Sequence, residues 1–314
     1  MHHKGRVLIT DHVHPVLLNG FKGNGYECDY QPEIQTTQVK AVIHQYHGLI
    51  INSKILVDRS MLDSADQLRF IGRLGSGMEI VDLEYAAAKG VAVHSAPEGN
   101  RNAVAEHVLG MVLAFANNLL RGDREVRDFV WEREQNRGFE IMGKTIGIYG
   151  FGHTGSTLAK KLGSMGVKIL AYDKYKTEYS NNMPWVEELT DPDRMFSEID
   201  VLSLHLPLTD ETKHLVDSEF LRKFRKKILL VNTSRGAVVK TADLVVSLRE
   251  NWLLGACLDV FENEKPKTFS EDEQKWFKEL YSFDNVVLTP HVAGWTMESK
   301  ERLSSVLLDK IFNK

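Results

Sequence analysis

Short apolar, β-branched runs alternate with helically spaced segments along the whole chain. Parallel strands joined by crossover helices produce that order, so the pattern predicts an α/β fold. In the amino-terminal third the runs fall at residues 6–10, 48–52, 69–74 and 91–94, each beside a Gly, Pro, Asn or Asp breaker, and predict one small sheet. From residue 102 to about 121, Val104, Val108, Met111, Val112 and Phe115 recur at spacings of three and four. That stripe predicts one long helix bridging two domains. A second series of strands is expected at 145–149, 167–172, 200–205, 227–232, 255–258 and 286–288. The tail, 297–312, aligns Leu303, Val306, Leu307 and Ile311 on one helical face. No strand is left for it to serve, which sends it back to the first domain.

The length of 314 residues is enough to bury a large core and to divide into two domains. A net charge of −4, with lysines scattered among acids, provides no basic field, so neither nucleic acid nor an anionic membrane is expected as a partner. Cys28 and Cys257 stand far apart without metal-ligand spacing, which predicts no disulfide framework, no metal and a reducing, cytoplasmic setting. The opening residues include His2, His3, Lys4 and Arg6 but no apolar core of a leader. Nowhere do about 18 apolar residues run together, so no membrane span is expected.

Candidate chemistry begins where the run 145–149 enters Gly150-Phe151-Gly152-His153-Thr154-Gly155 and helical spacing continues behind it. Gly150 permits a tight turn, Gly152 lets backbone approach a pyrophosphate, and Gly155 allows close helix-to-strand packing, while the exposed helix N–H groups attract the anion. The next strand ends at Asp173, 18 residues beyond Gly155, where a carboxylate can accept from ribose hydroxyls. Six strands, the glycine turn and the acid together predict a dinucleotide-binding unit. Asp173 favours NAD over NADP by charge, against which Lys174 and Lys176 stand nearby.

Three further segments put chemically useful side chains just after predicted strands: Val231-Asn-Thr-Ser-Arg235-Gly236, Leu258-Asp259-Val-Phe-Glu-Asn-Glu264, and Thr289-Pro-His291-Val-Ala-Gly294-Trp295. With the glycine turn, they resemble the D-isomer-specific 2-hydroxyacid dehydrogenase family. The resemblance covers almost the whole chain, because Gly72-Arg73-Leu-Gly75-Ser76-Gly77 and Pro97-Glu-Gly-Asn100 are similar to the family's amino-terminal motifs. It implies two α/β domains: a Rossmann-type doubly wound sheet for the cofactor, residues 99–291, inserted into a smaller flavodoxin-like substrate domain, residues 1–98 and 292–314. It also implies NAD as cofactor, a small 2-hydroxy or 2-keto acid as substrate, and a homodimer whose arm is the stretch 117–138.

The chemistry of such an oxidation agrees with the roles the resemblance assigns. Arg235 offers a bidentate grip on a carboxylate and polarises a carbonyl oxygen. His291, titrating near neutrality, takes the hydroxyl proton in oxidation and returns it in reduction. Glu264 orients that imidazole and favours its protonated form. Glu262 competes for this role; the family's five-residue spacing from Asp259 points to Glu264, although Lys265 displaces the usual proline to Pro266. By the same resemblance Asp259 holds the nicotinamide carboxamide, and His153, Thr154, His205, Pro207, Thr212, Thr233, Ser234 and Gly294 line the cofactor cleft. Amides of Ser76 and Gly77 are implied to bind the substrate carboxylate.

Within the family the pattern is most like the D-3-phosphoglycerate dehydrogenases, which implies 3-phosphohydroxypyruvate and its reduced acid as the substrate pair. The family's Arg-Ser at one strand end is here Asn52-Ser53, with Lys54 and Arg73 available to compensate for a phosphate. Trp295 would narrow the pocket, and a hydroxypyruvate or glyoxylate reductase is the enzymatic alternative. An ending at Lys314 leads one to expect no carboxy-terminal regulatory domain. An alternative of another class is an NAD-sensing, corepressor-like binding protein, distinguished by lack of turnover.

Overall fold

The computed structural model describes residues 4–180 and 182–313; His2 and His3 lie outside the described residues. Contacts divide the chain into two compact units, Met1–Arg101 with Trp295–Lys314, and Asn102–Gly294.

The first unit contains five parallel strands, β1 (Gly5–Ile9), β2 (Tyr26–Tyr30), β3 (Gly48–Ile51), β4 (Phe70–Arg73) and β5 (Ala92–Ser95), in the order β2-β1-β3-β4-β5. That is the flavodoxin-like order. Val7, Leu8 and Ile9 of β1 and Leu49, Ile50 and Ile51 of β3 are all fully buried, as interior strands covered on both faces require. The periodicity missed β2, an edge strand of sequence Tyr-Glu-Cys-Asp-Tyr with no apolar run. Helix Met297–Phe312 has the expected bounds and packs against helix Pro15–Gly23, β4 and β5. A Cβ on Gly99 would lie 2.6 Å from the Leu303 backbone nitrogen, so that glycine is needed for the close approach, while one on Gly20 would meet the end of the Leu308 side chain at 2.3 Å.

Helix Pro97–Ala116 corrects the expected helix at both ends. Proline is well suited to a first helical turn, so the helix begins before its apolar stripe does. It stops at Ala116 because Asn118 adopts the left-handed conformation, φ 50°, and the next helix, Leu119–Arg127, departs at 61°.

The second unit is a seven-stranded, wholly parallel sheet: β6 (Thr145–Tyr149), β7 (Lys168–Tyr172), β8 (Val186–Leu189), β9 (Val201–Leu204), β10 (Leu229–Asn232), β11 (Gly255–Leu258) and β12 (Val286–Leu288). Its order, β12-β11-β10-β9-β6-β7-β8, is doubly wound, with the reversal between β6 and β9. Six strands were expected. The seventh, β8, is an edge strand, Val-Glu-Glu-Leu, whose two glutamates keep it from reading as a buried run. Ala105, Val108, Met111 and Val112 pack with Ile146, Ile148, Val231 and Cys257 in one core cluster, while a second cluster contains Leu202, Leu230, Leu244 and Phe277. Gly150, Asp173, His205, Thr233, Asp259 and Thr289 all follow strand ends on the carboxyl edge of this sheet.

Candidate active site

The turn after β6 has the geometry its glycines suggest. Gly150 takes φ +94°, and a Cβ there would lie 2.4 Å from the His205 carbonyl oxygen. A Cβ on Gly155 would lie 2.2 Å from the Gly150 oxygen, whereas one on Gly152 would meet nothing within 4 Å. Internal packing therefore explains Gly155 but leaves open space at Gly152, immediately before helix His153–Leu162. His153 and Thr154 occupy that helix's first turn.

Asp173 is held across the turn: its carboxylate accepts from the amides of Phe151, 2.8 Å, and Tyr175, 3.1 Å. Both lysines beside it are engaged. Lys174 pairs with Glu211 at 2.7 Å, and Lys176 donates to the Phe151 carbonyl at 3.1 Å. Behind β9, His205 Nε2 lies 2.9 Å from the Ser203 hydroxyl, and loss of water around the ring pushes its pKa down to about 4. Thr212 donates to the Pro207 carbonyl at 2.6 Å and accepts from the Thr209 amide, closing its own loop. The Thr233 hydroxyl oxygen is buried without a hydrogen-bond partner among the described residues. A positive-φ turn, open space at Gly152, a held carboxylate and an orphaned hydroxyl fit a dinucleotide.

After β10, the Asn232 side chain organises the loop. Its oxygen accepts from the Ser234 amide and hydroxyl, and its nitrogen donates to the Arg235 carbonyl at 2.9 Å. Arg235 Nη1 donates to the Ser234 carbonyl at 2.7 Å. A Cβ on Gly236 would sit 1.9 Å from the Phe261 carbonyl oxygen, so the Arg235 loop lies directly on the loop after β11.

That second loop decides between the two glutamates. Glu262 is bonded to His214 Nε2, 2.6 Å, and to the Thr241 amide. Glu264 instead lies 2.8 Å from His291 Nδ1 and accepts from the Phe261 amide at 3.3 Å. An ionised carboxylate can only accept, so Nδ1 carries the proton and Nε2 is left for other chemistry. The Glu264 hydrogen bond raises the His291 pKa from its ordinary value, against the opposing pull of burial and of the Arg235 charge. Burial works upward on Glu264, but the His291 bond and charge, the Phe261 amide and Arg235 together hold its pKa below the ordinary range. Arg235, Glu264 and His291 thus share one charge neighbourhood.

His291 itself stands at φ 56°, a left-handed conformation that costs energy in a non-glycine residue unless its surroundings enforce it. They do. Its amide donates to the Asp259 carbonyl at 2.8 Å. The Asp259 carboxylate, with its side chain 1% exposed, accepts from the Thr289 hydroxyl at 2.6 Å and the Val292 and Ala293 amides at 2.9 Å. Asp259, expected to hold the nicotinamide carboxamide, is buried, and both its oxygens accept from the turn that ends at Gly294. Sequence reasoning also passed over His107, whose Nε2 lies 2.9 Å from Thr289 Oγ1. Its one signal is a histidine next to Val108 and four residues before Met111 on the buried stripe.

In the first unit, register pairs Ile51 with Arg73, which brings Asn52, Ser53 and Lys54 to the same sheet edge as Arg73. The Asn52 amide donates to Asp11 at 2.9 Å, and Lys54 rests on the Pro32 carbonyl. Arg73 donates to the Leu74 carbonyl at 2.9 Å and lies over Gly75, where φ is +156°. Ser76 is exposed, Gly77 is buried and Trp295 is 72% exposed.

Residues 109–293 match the D-isomer specific 2-hydroxyacid dehydrogenase, NAD binding domain, family. The chain is 34% identical to a hydroxypyruvate reductase of Thermotoga maritima over 90% of its own length and 89% of the relative's. It is 30% identical to a D-3-phosphoglycerate dehydrogenase of Archaeoglobus fulgidus over 98% of its length, but spans only 57% of that relative. A D-lactate dehydrogenase of Aquifex aeolicus, solved with NAD and lactic acid, superimposes with a TM-score of 0.85 at 26% identity, covering 98% of this chain and 94% of that one. With its two parallel-sheet units, its dinucleotide turn and these likenesses, the chain belongs to the D-isomer-specific 2-hydroxyacid dehydrogenases and takes NAD as cofactor.

Proposed function

We propose that this chain interconverts 3-phosphohydroxypyruvate and D-3-phosphoglycerate, with Arg235, Glu264 and His291 as its catalytic set. The 2.8 Å Glu264–His291 contact beside Arg235 carries the assignment of the reaction. Arg235 binds the carboxylate of the keto acid and polarises the carbonyl to be reduced. Bound NADH supplies the hydride, and NAD accepts one in the reverse direction. His291, held in its protonated form by Glu264, gives its Nε2 proton to the carbonyl oxygen as that oxygen becomes a hydroxyl; in oxidation the neutral imidazole takes the proton back. Both carboxylate-binding and proton transfer are thus done by groups on the carboxyl edge of one sheet.

For the phosphate, the supporting observation is the place of Lys54, whose ammonium donates to the Pro32 carbonyl at the sheet edge shared with Arg73. The likeness to a hydroxypyruvate reductase favours a second reading, reduction of hydroxypyruvate or glyoxylate without a phosphate. Steady-state reduction of phosphohydroxypyruvate, hydroxypyruvate, glyoxylate and pyruvate with NADH tests both. Phosphohydroxypyruvate should give a kcat/KM at least about tenfold above hydroxypyruvate, the worth of one charge-assisted hydrogen bond. A preference for hydroxypyruvate transfers the assignment to the second reading. Tight NADH binding with no turnover of any acid would favour an NAD-sensing binding protein.

We infer in addition a homodimer through residues 117–138, where Phe129 is 98% and Trp131 75% exposed alongside exposed Leu119, Leu120 and Val126. Light scattering should give twice the chain mass; a monomer overturns this.

A further inference from the structure

We propose that His107 is a positioning residue for His291, acting through Thr289 and Asp259 on the turn that holds the imidazole. The proton count along the chain of contacts is determined. Asp259 is a buried acceptor, so the single Thr289 hydroxyl proton lies on the 2.6 Å bond to Asp259 Oδ1. Thr289 Oγ1 can then only accept from His107 Nε2 at 2.9 Å, and that nitrogen must carry hydrogen. The same nitrogen lies 3.6 Å from Asp259 Oδ1, so whenever His107 is protonated its charge faces a carboxylate that is otherwise met by neutral donors. A buried carboxylate tolerates few losses of this kind.

The effect reaches His291 by direct contact. Asp259 fixes the amides of Val292 and Ala293, the two residues after His291, while its own carbonyl fixes the His291 amide at 2.8 Å. Those bonds hold His291 at φ 56° and present Nδ1 to Glu264. The support is rigid at its other end, because His107 sits on helix Pro97–Ala116, whose neighbouring Val108 and Met111 are buried in the sheet's core. Without the Nε2 donor, Thr289 can turn its hydroxyl away, and Asp259 loses a partner on the oxygen that also holds Val292.

The inference rests on His291 being the acid–base group, which His291→Ala tests separately by loss of turnover. Three variants test the inference itself: His107→Leu removes the donor, His107→Gln restores one near the Nε2 position, and Thr289→Val breaks the middle link. His107→Leu and Thr289→Val should each lower kcat about tenfold with NADH affinity unchanged, while His107→Gln recovers most of the rate. In the cofactor-free protein, the His291 imidazole, followed by NMR, should titrate closer to an ordinary histidine in both disrupting variants and return toward wild type in His107→Gln. That shift is read whatever the outcome for His291→Ala. Wild-type turnover and an unshifted His291 in His107→Leu and Thr289→Val would overturn the proposal, as would a His107→Gln variant no better than His107→Leu.

Discussion

At the scale of single residues, the proposed mechanism makes the pH dependence of turnover follow from one hydrogen bond, that between His291 and Glu264. In the proposed mechanism reduction consumes protonated His291, whose pKa Glu264 raises. The protonated form therefore persists to higher pH than in a free imidazole, and kcat/KM for reduction stays high below the raised value and falls as pH rises through it. Glu264→Gln keeps an acceptor but removes the charge, so the fall should move to lower pH. Glu262→Gln should leave it in place, since Glu262 serves His214 and Thr241 instead. Two coincident pH profiles for wild type and Glu264→Gln would contradict this assignment. The spacing in the family motif favours Glu264, but it does not show that Asp259 is enclosed. Which backbone groups a carboxylate meets depends on the fold of the turn around it, and the left-handed His291 in this turn leaves no mark in composition.

At the scale of elements, the glycine turn separates fold from binding. A methyl group on Gly155 must displace the Gly150 carbonyl, 2.2 Å away, so Gly155→Ala should cost about 1–3 kcal/mol of stability. Gly152 already has φ −80° and open space around it, so Gly152→Ala should leave stability within about 1 kcal/mol. If that space takes the pyrophosphate, as proposed, the methyl group should raise the NADH dissociation constant at least about tenfold. Urea unfolding and NADH fluorescence titration measure the two effects independently; equal NADH affinity in Gly152→Ala and wild type would remove that glycine from the site. Interior strands such as Leu229–Asn232 were legible because both faces are buried and the run is uninterrupted. The strands that escaped, β2 and β8, are the outermost of their sheets, where solvent and charge erase the apolar signal and also protect against pairing with other chains. The helix break at Asn118 escaped for a different reason, since apolar spacing carries no information about a residue that turns left-handed.

At the scale of the whole chain, the first unit is built from two segments separated by the whole of the second unit, Asn102–Gly294, and the final helix is part of its core rather than an appendage. Leu307 is fully buried with Val7, Ile9, Phe21, Ile50 and Phe70, and Lys310 reaches the Glu98 carboxylate at 2.8 Å and the Ser95 carbonyl at 2.9 Å. Gly72 of β4 also lies under this helix, a Cβ there falling 2.9 Å from Leu307. The unemployed amphipathic tail was the legible sign of this return, because a helix with one apolar face must cover something. Leu307→Ala empties a position that the surrounding β-branched and aromatic side chains cannot readily refill, at a cost of about 2–5 kcal/mol. That loss belongs to the first unit, whereas the glycine turn and Asp173 belong to the second. Urea unfolding of Leu307→Ala should therefore show an early transition that wild type lacks, with NADH still bound after that transition is complete. A single transition shifted as a whole, with NADH released along it, would mean that the two units do not unfold as separate bodies.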